Sequence, residues 1–247
     1  MNIKEHKLSY QQYYRRWHKD TPEHYEEMCQ FNHALYGRFI EKLPRGAALD
    51  MGCGMGFTMK YLESKGFQPV YGFDSDEEQI STSKKNNLKV FQADHIDQVF
   101  DQIPEKLVLV TAFDILEHMP PLVALENLKK IYAALAPGGM LICTVPNANS
   151  ALAERWRYGD FTHYTSFTEH SLDFLLYNAG FQNITIYSAD VEFKRRPSFI
   201  YSSHKKWLRW MQFKMARAFR RWQMVAELGD EAKNIPLSLN LLGVVTK

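Results

Sequence analysis

The chain has 247 residues, of which 45% are hydrophobic and 23% charged, with a formal net charge of +2. That length fits one large domain or one domain with an addition, and that composition can bury a full core. A disordered chain, a collagen and a small disulfide scaffold are excluded.

The longest apolar stretch, around Leu107–Phe113, is far short of the roughly 20 residues a membrane span needs. The opening MNIKEHKLSY has no apolar signal-peptide core, and Cys29, Cys53 and Cys143 form no CxxC pair or zinc spacing. The expectation is a cytoplasmic chain without structural zinc. The charge is uneven: Val191–Met224 carries ten Lys/Arg against one acidic residue, +9 locally, which leaves about −7 elsewhere.

Residues 1–43 read as helical, dense in aromatics from Tyr10, Tyr13 and Tyr14 to Phe39, with Thr21-Pro22-Glu23 as a helix start. From Ala47 strands and helices alternate. The expected strands are Ala47–Met51, Pro69–Phe73, Leu88–Gln92, Leu107–Ala112, Met140–Val145, Phe181–Ala189 and Leu237–Val245. The expected helices run to Lys65, over Ser75–Asn86 with Ser75 as cap, over Pro121–Leu135 up to a Pro137-Gly138-Gly139 turn, and over Thr168–Asn178. Such alternation predicts an α/β doubly wound, mostly parallel sheet of seven strands with helices on both faces.

The strongest motif is Asp50-Met51-Gly52-Cys53-Gly54-Met55-Gly56. It follows a strand, precedes a helix, and lies 24 residues before Asp74, an acid at the end of the next strand. Glycines let a backbone turn tightly and approach a nucleoside, and the carboxylate takes ribose hydroxyls. Asp50 would repel a phosphate but could meet an ammonium group, which favours S-adenosylmethionine (SAM) over NAD.

Here residues 45–190 resemble the class I SAM-dependent methyltransferases, a Rossmann-like fold, of the type found in bacterial surface-polysaccharide and O-antigen pathways. The resemblance implies cofactor contacts from Asp50, Gly52, Cys53, Gly54, Gly56, Asp74, Ser75, Asp94, His95 and Phe113. Leu135-Ala136-Pro137-Gly138-Gly139 resembles the family's L-x-P-G-G turn. It implies a helical cap at 1–43, a SAM-binding catalytic domain at 44–190, a basic helical insertion at 191–235, and the sheet's last strand at 236–247.

Ala112-Phe113-Asp114-Ile115 lacks the (N/D)PP(Y/F) tetrapeptide of amino-methylating enzymes, which favours oxygen as the acceptor. In Asp114-Ile115-Leu116-Glu117-His118, spacings of three and four gather Asp114, Glu117 and His118 if a helical turn starts there. Two carboxylates and an imidazole suit Mg²⁺ or Mn²⁺ better than zinc. The pattern resembles the metal motif of ubiquinone-type catechol and small-RNA ribose 2′-O-methyltransferases, in which a later histidine, here His163, completes the site. A metal lowers the pKa of a bound hydroxyl and orients it. The alternative is that Glu117 and His118 brace the loop and His163 acts as a lone base.

The stretch 145–168 resembles glycan methyltransferases, which implies an acceptor pocket lined by Asn147, Arg157, Tyr158, Asp160 and Tyr164. The expected activity is O-methylation of a sugar hydroxyl of a glycan or lipopolysaccharide precursor. A quinone-type catechol or an RNA ribose stays open as acceptor, as does a non-catalytic SAM-binding subunit.

Residues 204–226 read as an amphipathic helix with Trp207, Leu208, Met211, Met215, Ala218, Phe219, Trp222 and Val225 on one arc and basic residues opposite. Three uses are open: packing on the catalytic domain or a partner subunit in a homodimer, lying on an anionic membrane, or clamping an anionic acceptor such as a lipid-linked glycan, a nucleotide sugar or, less in keeping with the rest, nucleic acid.

Overall fold

The structure, a computed structural model, describes residues 14–191 and 204–247. Tyr10, Tyr13 and the first part of the basic segment lie outside the described residues. The strands are β1 (Ala48–Met51), β2 (Val70–Asp74), β3 (Lys89–Gln92), β4 (Leu107–Phe113), β5 (Leu135–Pro146), β6 (Asn183–Ser188) and β7 (Asn240–Thr246). They form one sheet in the order β3-β2-β1-β4-β5-β7-β6. The helices are α1 (Pro22–Asn32), α2 (Phe57–Ser64), α3 (Glu77–Lys85), α4 (Asp97–Phe100), α5 (Pro121–Ala134), α6 (Ala153–Gly159), α7 (Glu169–Asn178) and α8 (His204–Leu228). The seven-stranded architecture expected from the alternation is therefore present.

The sheet is mixed. β1 pairs in parallel with β2 and β4, and β2 with β3. β5 and β7 run oppositely: the Gly138 N–H donates to the Lys247 carbonyl, and nine residues on, just past β5, the Asn147 N–H donates to the Leu239 carbonyl. The expected Pro137-Gly138-Gly139 turn is extended chain instead, because Gly138 and the Lys247 N–H, which donates to Gly139, supply ladder bonds there.

By contacts the chain forms two compact units. One holds the chain up to Phe113 with Lys129–Ile142 and the last two residues; the other holds Asp114–Leu128 and Cys143–Val245.

In the first unit β1 is buried along its whole length between two parallel partners. The register sets Asp50 level with Gly72 and Thr111, so an acid stands in a central strand. α1 starts where the sequence indicates, with the Thr21 hydroxyl accepting the His24 N–H. α3 is capped by Asp76 rather than by Ser75, since Asp76 Oδ1 accepts both the Glu78 and Gln79 N–H groups at 3.0 Å. Gly56 opens α2 with a φ of +82°, and a Cβ there would collide with Leu88 Cδ1. Gly56→Ala is accordingly expected to destabilise the fold by about 2–3 kcal/mol, read as a lower urea midpoint at unchanged m-value.

In the second unit the apolar interior includes Leu172, Leu176, Phe181, Leu241 and Leu242. α8 splits the expected apolar arc: Trp207, Met211 and Val225 are half-buried, and the rest of the arc is exposed. Arg217 forms a two-bond ion pair with Asp190, at 2.9 and 3.0 Å. The Arg221 guanidinium donates to the carbonyls of Ala232 and Ile235. These arginines turn their own face of the helix inward, with Met224 in a small cluster with Ala232, Ile235 and Leu237. Leu208, Met215, Phe219 and Trp222, from the arc expected to pack, are exposed.

Candidate functional site

The first unit carries the glycine loop. Gly52, Gly54 and Gly56 all have positive φ, the conformation glycine adopts at least cost. Asp74 at the end of β2 fixes the loop: its Oδ2 accepts the Gly54 N–H at 3.0 Å and its Oδ1 the Asp76 N–H at 2.9 Å. Burial raises the Asp74 carboxyl above its usual range, and these backbone donors pull against the rise. Ser75, Asp94 and His95 are exposed beside it, Phe113 is half-buried and Cys53 is buried. Burial holds the Cys53 thiol well above its ordinary pKa.

Asp50 accepts a 2.7 Å hydrogen bond from the Thr111 hydroxyl. Burial raises its carboxyl to about 7, the Thr111 bond opposes the rise, and Asp74 adds to it. The folded state thus keeps a proton that the unfolded chain releases above about pH 4. Stability from this group is lost as pH rises from about 4 to about 7. An Asp50→Asn variant should gain on the wild type across that window; urea midpoints that stay parallel at both ends would refute this.

The structure adds a residue that the sequence did not single out. Tyr36 is fully buried, its ring 5.1 Å from that of Phe113 and edge-on to Tyr61. Its hydroxyl has no hydrogen-bond partner among the described residues. Burial first, then the nearby Asp50, hold it in the protonated form. The described N-terminal residues also cover the loop: the Tyr25 hydroxyl donates to the Met55 carbonyl at 2.7 Å, and the Phe57 ring meets those of His18, His24 and Tyr25.

The second unit holds the other group. After Asp114, Leu116–His118 forms a short 3₁₀ turn rather than the start of an α-helix. One donor atom from each of Glu117, His118 and His163 lies within 4.8 Å of the others. Asp114 stands outside the group. At a φ of +50°, its Oδ1 accepts from the Thr144 hydroxyl at 3.0 Å and the Asn240 amide at 2.8 Å.

Each member of the group has a defined state. Glu117 is 1% exposed and its Oε2 has no partner among the described residues. Burial, with Asp114 and Asp160 adding repulsion, holds its carboxyl well above the usual range. The Thr162 hydroxyl gives its proton to Asp160 Oδ1 at 2.6 Å, so it accepts from His118 Nδ1–H at 2.8 Å. The lone pair of His118 is then on Nε2. Burial and His163 lower the His118 pKa to about 4, so the ring is neutral. Burial also lowers His163, against the opposing effect of Asp160. Its Nδ1 has no partner among the described residues, and its ring meets that of His118 edge-on at 4.5 Å.

Of the expected acceptor residues, three lie together. Arg157, Tyr158 and Tyr164 line an open pocket of about 260 Å³ with Glu154 and Ser166. The Tyr164 N–H donates to the Glu117 carbonyl at 2.7 Å, which ties the pocket to the cluster. Asn147 and Asp160 do not line it. Asn147 is 0% exposed; its amide donates to the Pro236 and Ser238 carbonyls and its oxygen accepts the Asn149 N–H. Asp160 spends its carboxylate on Thr162, whose two donors hold it below the usual range although burial would raise it. Both are braces.

Sheet order, glycine loop and acid at β2 together define a class I SAM-dependent methyltransferase. Residues 17–186 match the family described as "Methyltransferase domain" (Methyltransf_23), and the chain belongs to that family, with SAM as its cofactor. It is 31% identical over 109 residues to a trans-aconitate 2-methyltransferase of Sinorhizobium fredii, covering 44% of this chain and 41% of the relative. It is 31% identical over 106 residues to a ubiquinone biosynthesis O-methyltransferase of Idiomarina loihiensis, covering 41% and 42%. The matches thus span about two fifths of the length of these curated relatives. The crystal structure of a SAM-dependent methyltransferase from Archaeoglobus fulgidus shares the fold, with a TM-score of 0.62 at 20% identity over 89% of this chain and 94% of that one.

Proposed function

We propose that this enzyme methylates a sugar hydroxyl of a glycan or its precursor, with a divalent cation held by Glu117, His118 and His163. The observation that carries the reading is the buried Glu117 Oε2, unpartnered beside two neutral imidazoles. A carboxylate buried without a partner is costly unless something of opposite charge completes it. One carboxylate and two imidazoles suit Mn²⁺ or a similar transition metal; Mg²⁺, which prefers oxygen donors, suits them less. When bound, such a cation lowers the pKa of a neighbouring hydroxyl.

The chain's own residues do the rest. Asp160 and Thr162 fix the His118 tautomer and so aim its Nε2. The exposed rings of Tyr158 and Tyr164, with Glu154 and Arg157, offer apolar faces and polar groups to a sugar ring. In the cofactor unit, Asp74 is matched to the ribose and Asp50 to the ammonium group of SAM, while the Tyr36 hydroxyl supplies a buried donor. The likeness to a ubiquinone biosynthesis O-methyltransferase supports oxygen as the acceptor atom.

A second reading has its own observation. The unpartnered Nδ1 of a neutral His163 can take the hydroxyl proton without a cation. Transfer of labelled methyl from SAM to methyl glycosides, a catechol and an RNA oligomer, with Mn²⁺ or with a chelator, tests both. Label on a glycoside only with Mn²⁺, lost when the hydroxyl beside the methylated one is removed, is the expected result. Undiminished labelling under chelator supports His163 as lone base, and label on the catechol or RNA alone overturns the sugar.

A further inference from the structure

We infer that α8 is an interfacial helix that docks the enzyme on an anionic lipid surface, an inference that goes beyond the reaction and does not rest on the acceptor or the metal. The helix runs 25 residues, yet only Met224 is fully buried. Leu208, Met215, Phe219 and Trp222 recur at steps of seven, four and three, which align on one stripe of a helix. They are exposed by 46%, 65%, 58% and 67%, and the Phe219 and Trp222 rings stack at 5.8 Å on the outside. The arginines of the opposite face fix this orientation. Arg217 is engaged by Asp190 and Arg221 by two carbonyls, so the helix is held in part through these two arginines, with Leu208, Met215, Phe219 and Trp222 left on the outside.

The charge around the stripe selects the occupant. Lys205, Lys206 and Lys214 are exposed, and the first acid of the helix is Glu227 in its last turn. An apolar stripe beside exposed lysines fits a lipid surface with anionic headgroups, where such a helix lies in the plane with its apolar face sunk about 5–10 Å. No helix among the described residues is long and apolar enough to cross a membrane, so the contact is peripheral. A second copy of the chain fits worse: self-pairing along the helix sets these lysines against one another, and the acids near it, Glu227, Asp230 and Glu231, cluster at its far end. RNA fits worse too, because phosphates give Leu208 and Met215 nothing to pack on, and Arg217 and Arg221 are already committed.

The test is sedimentation of the full chain with vesicles of phosphatidylcholine alone or mixed with phosphatidylglycerol. Binding is expected only to the mixed vesicles and should weaken at high salt. The pair Phe219→Ser/Trp222→Ser should lower partitioning roughly tenfold or more, as should Lys205→Glu/Lys206→Glu. Both pairs should keep the wild-type affinity for SAM, which separates loss of docking from loss of folding. No binding to the mixed vesicles at low salt overturns the inference, as does binding unchanged by Phe219→Ser/Trp222→Ser. It also falls if the chain is a dimer that this pair converts to monomer, or if an RNA oligomer displaces it from the vesicles.

Discussion

Glu117→Ala is expected to cut methyl transfer about a thousandfold, roughly 4 kcal/mol of barrier, while SAM affinity changes less than about twofold. The separation is expected because the bonds that support the glycine loop come from Asp74 and Tyr25 rather than from Glu117. Alanine leaves a cavity, so Glu117→Gln is the cleaner probe: it keeps the volume and removes the charge. A buried carboxylate held in place only for structure would lose stability on substitution. Here the neutral amide should hold or raise the melting temperature while activity still falls, because the penalty of an unpartnered buried acid is removed. Thr162→Val, one bond further out, should weaken Mn²⁺ binding about 10–100-fold and be rescued by excess Mn²⁺. A fully active Glu117→Gln enzyme would remove this residue from the reaction.

Asp74→Ala should raise the dissociation constant for SAM about a hundredfold or more. Two losses combine. The carboxylate holds the Gly54 and Asp76 N–H groups, so without it the loop loses the restraint on its positive-φ turn. In the proposed binding mode the ribose hydroxyls would also lose a charged acceptor, and hydrogen bonds to charged groups contribute about 1.5–3 kcal/mol each. Titration calorimetry reads the change directly. Asp74→Asn retains one acceptor oxygen and should fall between the two. An Asp74→Ala protein that binds SAM as tightly as the wild type would show that the acid only shapes the loop.

The legible parts of the chain are those governed by neighbours in sequence. Asp50 to Gly56 and Asp74 could be read because a strand, a tight turn and a helix follow one another within a few residues, and positive φ demands glycine. The convergence of Glu117, His118 and His163 was legible as a pattern, but its composition was not. Whether Asp114 joined them depended on Asn240, 126 residues away, which takes its carboxylate instead. Asn147 presented the same problem: its acceptors lie at Pro236 and Ser238, and nothing local marks them. Thr162 gave no signal beyond its place between Asp160 and His163. On α8 the periodicity defined an apolar arc and left its use open. Which residues turn inward depends on the acceptors that Arg217 and Arg221 find at Asp190, Ala232 and Ile235, which nothing local marks.

The Asn147 brace also bears on how the polypeptide is built. Its amide closes loops of 89 and 91 residues, and Asn240 closes one of 126 onto Asp114. Closures that long raise contact order, and a chain dominated by them folds slowly. A growing polypeptide can assemble β1, β2 and the glycine loop from consecutive segments as they emerge from the ribosome. The 3₁₀ turn bearing Glu117 has no such independence. Asp114 just before it stays without the Asn240 partner until synthesis has passed α8 and reached β7, so the glycine loop is expected to mature early during translation and the turn bearing Glu117 late.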